Sequence, residues 1–109
     1  MILIKMFQNE SGKINGFSVR GHSHQAPRGK DVICAGVSSL TQSACQGIIQ
    51  YLRISSRYSV SSGFLDFSLQ NPTKETEAIL QSMLIGLRNI QSICPDEIEI
   101  DFEKVNFNE

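Results

Sequence analysis

The sequence carries almost no net charge: 10 Lys and Arg against 11 Asp and Glu leave −1 at pH 7. Proteins that bind a nucleic-acid backbone do so with an excess of cations. This balance therefore speaks against electrostatic nucleic-acid binding as the main function, although a local basic patch stays open. There is no charged-then-apolar leader and no uninterrupted run of about 20 apolar residues, the length a helix needs to cross a bilayer. The expected location is the cytoplasm. Cysteine is scarce and odd in number. Cys34, Cys45 and Cys94 lack paired close spacing and do not make a disulfide framework. On one helix, Cys34 and Cys45 would stand about 16 Å apart, at about 1.5 Å per residue, too far to bridge. Repeats, low-complexity tracts and linkers are also missing, so residues 1–109 read as one domain, long enough for a two-layer core.

What is present is a run of short periodic segments. Met1 to Phe7 reads as a strand, Gln8-Asn9-Glu10-Ser11-Gly12 as a polar turn, and Lys13 to Arg20 as a second strand that completes a hairpin. From Val32 to about Ile54, Ile33, Val37, Leu40, Ala44, Ile48 and Tyr51 recur at three- and four-residue steps, which predicts a central helix with one buried stripe. Its small residues, among them Gly36, Ser39, Ser43 and Gly47, cost helix propensity and call for close packing against another backbone. Tyr58 to Ser61 and Phe64 to Leu69 read as strands around a turn at Ser62-Gly63. Asn71-Pro72-Thr73 opens a second helix, with Glu75 and Glu77 where the dipole favours acids, and Pro95 stops it. The alternation Glu97-Ile98-Glu99-Ile100-Asp101-Phe102-Glu103 is a strand with one wet face, and the tail from Lys104 is expected to fray. The order β-β-α-β-β-α-β predicts an α+β fold, a two-layer or sandwich arrangement of a largely antiparallel sheet and two helices. Cys45 and Cys94 fall in the helical stripes, where cysteine behaves as a small buried hydrophobe.

The stretch Gly21-His22-Ser23-His24-Gln25-Ala26-Pro27-Arg28-Gly29-Lys30-Asp31-Val32-Ile33-Cys34 concentrates the reactive side chains. With Asp31 as N-cap, Cys34 falls on the first helical turn, where unpaired backbone N–H groups and the macrodipole favour a thiolate. Gly21, Pro27 and Gly29 supply the bends that would let His22 fold back over the helix start. Ser38 lies one turn beyond Cys34 on the same side, in reach of that site. The residues alone leave three readings of Cys34 open: a reactive nucleophile served by His22, a buried structural thiol, or a metal ligand with His22 and His24. A structural thiol belongs inside the apolar stripe, whereas Cys34 stands one position off it as read from the sequence. The metal reading lacks a fourth ligand, and His24 reads best as a solvated loop histidine.

Gly21-His22, the Gly29-Lys30-Asp31-Val32-Ile33-Cys34 run and Ala35-Gly36-Val37-Ser38 resemble the signature of the bacterial ribosomal-processing cysteine protease family, Prp. The departures are Ser23 and Gly36, where that family usually has alanine. The resemblance implies a dimeric cytoplasmic endopeptidase that needs no cofactor, membrane or nucleic acid. It would remove the N-terminal extension of ribosomal protein twenty-seven of the large subunit. By position, Cys34 is then the nucleophile and His22 the general base and acid. Asp31 is a helix cap or imidazole orienter, and Gly21 and Gly29 bound a substrate loop. That loop, Ser23 to Lys30, is expected to be mobile and to order over bound peptide. A preference for an aromatic residue before the cut implies an apolar pocket, with Phe17, Phe64 and Tyr58 as candidate walls. Against this stand a ribosome-associated RNA- or protein-binding module, with Arg28 and Lys30 holding a phosphate at the helix start, and a purely structural homodimer.

Overall fold

The computed structural model describes residues 1–21 and 30–105, the side chains of residues 30 and 31 excepted. Its elements are β1 (Ile2–Gln8), β2 (Ile14–Arg20), α1 (Lys30–Gln46) continued by a π-helical turn (Gly47–Tyr51), β3 (Arg57–Ser61), β4 (Phe64–Ser68), α2 (Lys74–Ile93) and β5 (Ile98–Lys104). This is the α+β order read from the sequence. The five strands form one sheet in the order β3-β4-β2-β1-β5. Every neighbouring pair is antiparallel except β1 with β5, which run parallel. The parallel pair follows from the crossover: α2 carries the chain back before β5 starts, which is what parallel neighbours require.

Alternation along the strands puts one face of the sheet against the helices. Ile2, Ile4 and Met6 of β1, Phe17 and Val19 of β2, Leu65 and Phe67 of β4 and Ile98 of β5 are all buried, and they meet Val37, Ala44, Cys45 and Ile48 of α1 and Leu80, Met83 and Leu87 of α2. Phe17 and Phe67 pack with ring centroids 5.7 Å apart. Of the small residues of α1, Gly36 faces α2 closely, where a Cβ would come within 3.1 Å of the Ile90 side chain, and from α2 a Cβ on Gly86 would come within 2.9 Å of the Leu40 side chain. Ser39 and Ser43 are exposed, so the close approach is of side chains to glycine and not of backbone to backbone. By length and hydropathy Val32–Tyr51 matches a bilayer-crossing helix. Here it is the central packing helix, with buried residues toward the core and Ser39, Ser43, Gln46 and Gln50 exposed.

Three local expectations change. The buried stripe of α1 is Cys34, Val37, Thr41, Ala44, Cys45 and Ile48, while Ile33 and Leu40 are half-buried and Tyr51 is 84% exposed. Thr41 joins the core because its hydroxyl donates to the Val37 carbonyl at 2.8 Å, so burying it strands no polar group. Tyr51 leaves the stripe because the π turn changes the helical phase, and the chain then exits through Arg53 at φ 59°. Cys94 is half-buried rather than buried, since it is the C-cap of α2 and not part of its inner face. At the other end of α2, Thr73 and Thr76 form a reciprocal capping box. Glu77 does more than oppose the dipole, as its Oε1 accepts from the Ile14 N–H at 2.8 Å and ties α2 to the head of β2.

Candidate active site

Helix α1 begins at Lys30. Asp31 is therefore its second residue and not its cap, since a capping residue keeps an extended backbone while Asp31 is helical. Cys34 becomes the fifth helical residue, and in a regular helix its own N–H pairs with the Lys30 carbonyl. The unpaired donors of the helix start precede it. Every helical Cα–Cβ bond tilts toward the N-terminus, so the Cys34 side chain leans back toward those donors. The sulfur-bearing residue is 8% exposed and heads the buried stripe, instead of standing beside it at an exposed end. The apparent offset in the sequence came from counting Ile33 and Leu40 in the stripe and leaving Thr41 out of it.

One turn further along, α1 forms one wall of a cavity of about 300 Å³. Val37, Ser38, Thr41 and Gln42 line it from the helix, Val19, Phe64 and Leu65 from the sheet, and Val60, Ser61 and Ser62 from β3 and its turn. Ser38 is thus brought to the same side as Cys34, on the cavity wall. Phe64, a candidate wall of the substrate pocket by sequence, lines this cavity. Phe17 does not, because it is fully buried beneath the sheet face. Tyr58 is half-buried further along, beside Cys45 and Gln46, where burial pushes its phenol up. Its hydroxyl is buried and, among the described residues, makes no hydrogen bond of ordinary geometry despite the nearby Gln46 side chain. The walls contributed by Val19, Gln42 and Val60 were not singled out beforehand. They come from three elements far apart in the chain, and no local pattern marks them.

Gly21 closes β2 beside this cavity. Its N–H donates to the Gly63 carbonyl in the β3–β4 turn at 3.2 Å. Its φ is +93° and a Cβ there would run into the Met1 carbonyl oxygen, so only glycine fits. The segment that follows is hung between this turn and the start of α1. His22, His24, Arg28 and Gly29, with the expected mobile loop, lie outside the described residues, as do the side chains of Lys30 and Asp31. Among the described residues no group of His, Cys, Asp and Glu is arranged to hold a metal ion. Arg20, at the rim, is engaged by the Asp66 carboxylate through two contacts of 2.9 and 3.0 Å and stacks over Phe64 at 5.1 Å.

A profile of the family described as Cysteine protease Prp matches residues 1–99. The ribosomal processing cysteine protease Prp of Staphylococcus aureus strain Mu50 is 26% identical over 106 residues, covering 94% of this chain and all of the relative. Among solved structures the chain is similar to an S. aureus ribosomal processing protease Prp in complex with a substrate peptide, with a TM-score of 0.85. It is similar also to that protease with a covalently linked product peptide, with a TM-score of 0.83. Both are 24% identical in sequence, and each comparison covers 94% of this chain and 100% of the other; they show the shared fold. With the profile spanning nearly the whole chain, from β1 through Cys34 and the cavity walls into β5, this chain belongs to the cysteine protease Prp family and is a cysteine protease.

Proposed function

We propose that this chain is a ribosomal-processing endopeptidase that removes the N-terminal extension of ribosomal protein twenty-seven of the large subunit, with Cys34 as nucleophile and His22 as general base and acid. The observation that carries the reading is the position of Cys34, at the N-terminal head of α1 and one turn from the cavity walls Val37 and Ser38. The names of the S. aureus relatives and the covalent product adduct of one of them support it.

In the proposed reaction the Cys34 thiolate forms a bond to the scissile carbonyl carbon, and the carbonyl π electrons move to oxygen. Unpaired N–H groups at the α1 start stabilise that oxyanion. Collapse breaks the C–N bond as the His22 imidazolium gives its proton to the leaving amine. His22 then takes a proton from water, which attacks the thioester and releases Cys34. Asp31, on the first turn, is the candidate for orienting the imidazole, and Ser38 for contacting the substrate. The mainly apolar cavity with Phe64 on its wall suits the side chain before the cut. The enzyme works as one domain over residues 1–109, in the cytoplasm, as a homodimer; the apolar side chains exposed on its helices, Val32, Ile85 and Ile93, are consistent with a partner copy.

The test is incubation with the extended ribosomal protein. A single shortened product is expected from the wild type and none from Cys34→Ala or His22→Ala, each verified as folded by circular dichroism. Product that persists in Cys34→Ala overturns the proposal.

A further inference from the structure

The sheet ends in two strands, β3 and β5, each paired on one side. Natural edges are blunted by charge, proline, bulges or a covering segment. β5 is blunted: Glu99, Asp101, Glu103 and Lys104 stand exposed along it. β3 is not. After Arg57 it carries neither charge nor proline, and among the described residues nothing pairs with its outer side.

The turn fixes which backbone groups are open. Ser61 and Phe64 are opposite one another across a two-residue connection, which makes them a hydrogen-bonded pair. In an antiparallel ladder bonded and non-bonded pairs alternate. Ser59 with Asp66 and Arg57 with Ser68 therefore carry the remaining bonds to β4, and the N–H and C=O groups of Tyr58 and Val60 point to the open edge. The side chains of these two residues lie opposite buried Phe67 and Leu65, on the face toward the helices, and Val60 borders the cavity. α1 runs over this region from the cavity, at the turn end of β3, to Cys45 and Gln46 beside Tyr58. A strand added to β3 would thus lie along α1, with its turn-side end toward Cys34.

We propose that the substrate binds as a sixth strand on β3. It is an extended peptide that exchanges backbone hydrogen bonds with Tyr58 and Val60 and turns an apolar side chain into the cavity that begins one helical turn from Cys34. This rests on the proteolytic reading above and adds how the peptide is held. Main-chain pairing supplies affinity independent of sequence, and the cavity selects only at the alternate positions that face it.

The test uses a peptide spanning the processing junction. Val60→Pro removes an N–H that the β3–β4 ladder does not use, so the sheet survives it, and Val60→Ala controls for the lost side chain. A missing hydrogen bond is worth about two- to tenfold. Val60→Pro is expected to raise KM by about that factor over Val60→Ala at similar kcat. A peptide N-methylated at the pairing residue should show the same loss on the unaltered enzyme, which keeps the test intact if the proline variant does not fold. In Cys34→Ala, hydrogen exchange at the Tyr58 and Val60 amides should slow when peptide is added. Unchanged exchange with peptide bound, equal KM for the two variants and the N-methylated peptide, or amides already protected without peptide would each overturn edge pairing while leaving proteolysis standing. Failure of the wild type to cleave or bind the peptide would overturn both.

Discussion

Gly21 is the last described residue before the segment that carries His22, and Gly21→Ala tests how that segment is hung from the sheet. At φ +93° a Cβ is strained, at a cost of about 1–2 kcal/mol. The new Cβ would also overlap the Met1 carbonyl oxygen and sit 3.2 Å from its carbon. These are backbone atoms at the head of β1, where the Ile2 N–H is already bonded to the Glu97 carbonyl at 2.8 Å. Relief therefore means shifting β1 or stretching the Gly21 bond to Gly63, and overpacking of this kind costs about 1–3 kcal/mol. Alanine restricts the unfolded chain and returns about 0.4–1 kcal/mol. The net expectation is a loss of about 3 kcal/mol, within a range of about 1–5. Gly12 supplies the control, because it has φ +87° but, among the described residues beyond its chain neighbours, no atom within 4 Å of where a Cβ would stand; Gly12→Ala should lose only about 1 kcal/mol. Urea unfolding followed by circular dichroism reads both as midpoint shifts at constant slope. Equal midpoints for the two variants would refute the close approach of Met1 to Gly21. Under conditions where both are folded, peptide cleavage should fall in Gly21→Ala and be retained in Gly12→Ala.

Other expectations concern ionisation and capping. Burial pushes the Cys45 thiol up from an ordinary 9.0 to about 12. The folded state thus holds a proton that the unfolded chain releases, and the resulting stability is complete below pH 9 and lost as pH rises from there toward 12, by about 1.4 kcal/mol per pH unit. Cys45→Ala should flatten the alkaline arm of stability against pH, measured as urea midpoints from pH 8 to 11; parallel curves would contradict the burial. Thr73→Ala removes the acceptor for the Thr76 N–H at the start of α2 and should cost about 1 kcal/mol by thermal unfolding; Lys74→Ala, one residue inside the helix, should not. On β5 the neighbouring Asp101 carboxyl, by hydrogen bonding and by charge, raises the pKa of Glu99. Glu99→Gln should raise the melting temperature at pH 7, because it removes the unfavourable carboxylate charge beside Asp101. The gain should shrink as the medium is acidified and Glu99 takes up its proton.

The local elements were legible because each was set by neighbours in sequence. Ile and Leu content marked β1, alternation marked β4 and β5, the turn at Ser62-Gly63 marked the β3–β4 hairpin, and Asn71-Pro72-Thr73 with Glu75 and Glu77 behind it marked α2. Spacing and the family signature also drew attention to Cys34. The face of α1 was read partly one position off, because Ile33, Leu40 and Tyr51 were counted in the stripe and Cys34 and Thr41 were left out. The Thr41 hydroxyl is satisfied by the Val37 carbonyl one turn back, an arrangement that composition does not announce. Phe17 was a plausible pocket wall by type, but the packing of Phe17 on Phe67 seals it in the core.

By itself the sequence determined the element order and the place of Cys34 near a helix start, because hydrophobic period, turn residues and chain connectivity act over a few residues. Tertiary structure alone decided that β5 lies parallel beside β1, that β3 is, among the described residues, an edge strand of the sheet, and that Val19, Ser38, Val60 and Phe64 share one cavity. The physical reason is that strand order and cavity walls depend on which distant segments bury their apolar faces together, and no single stretch of chain encodes that.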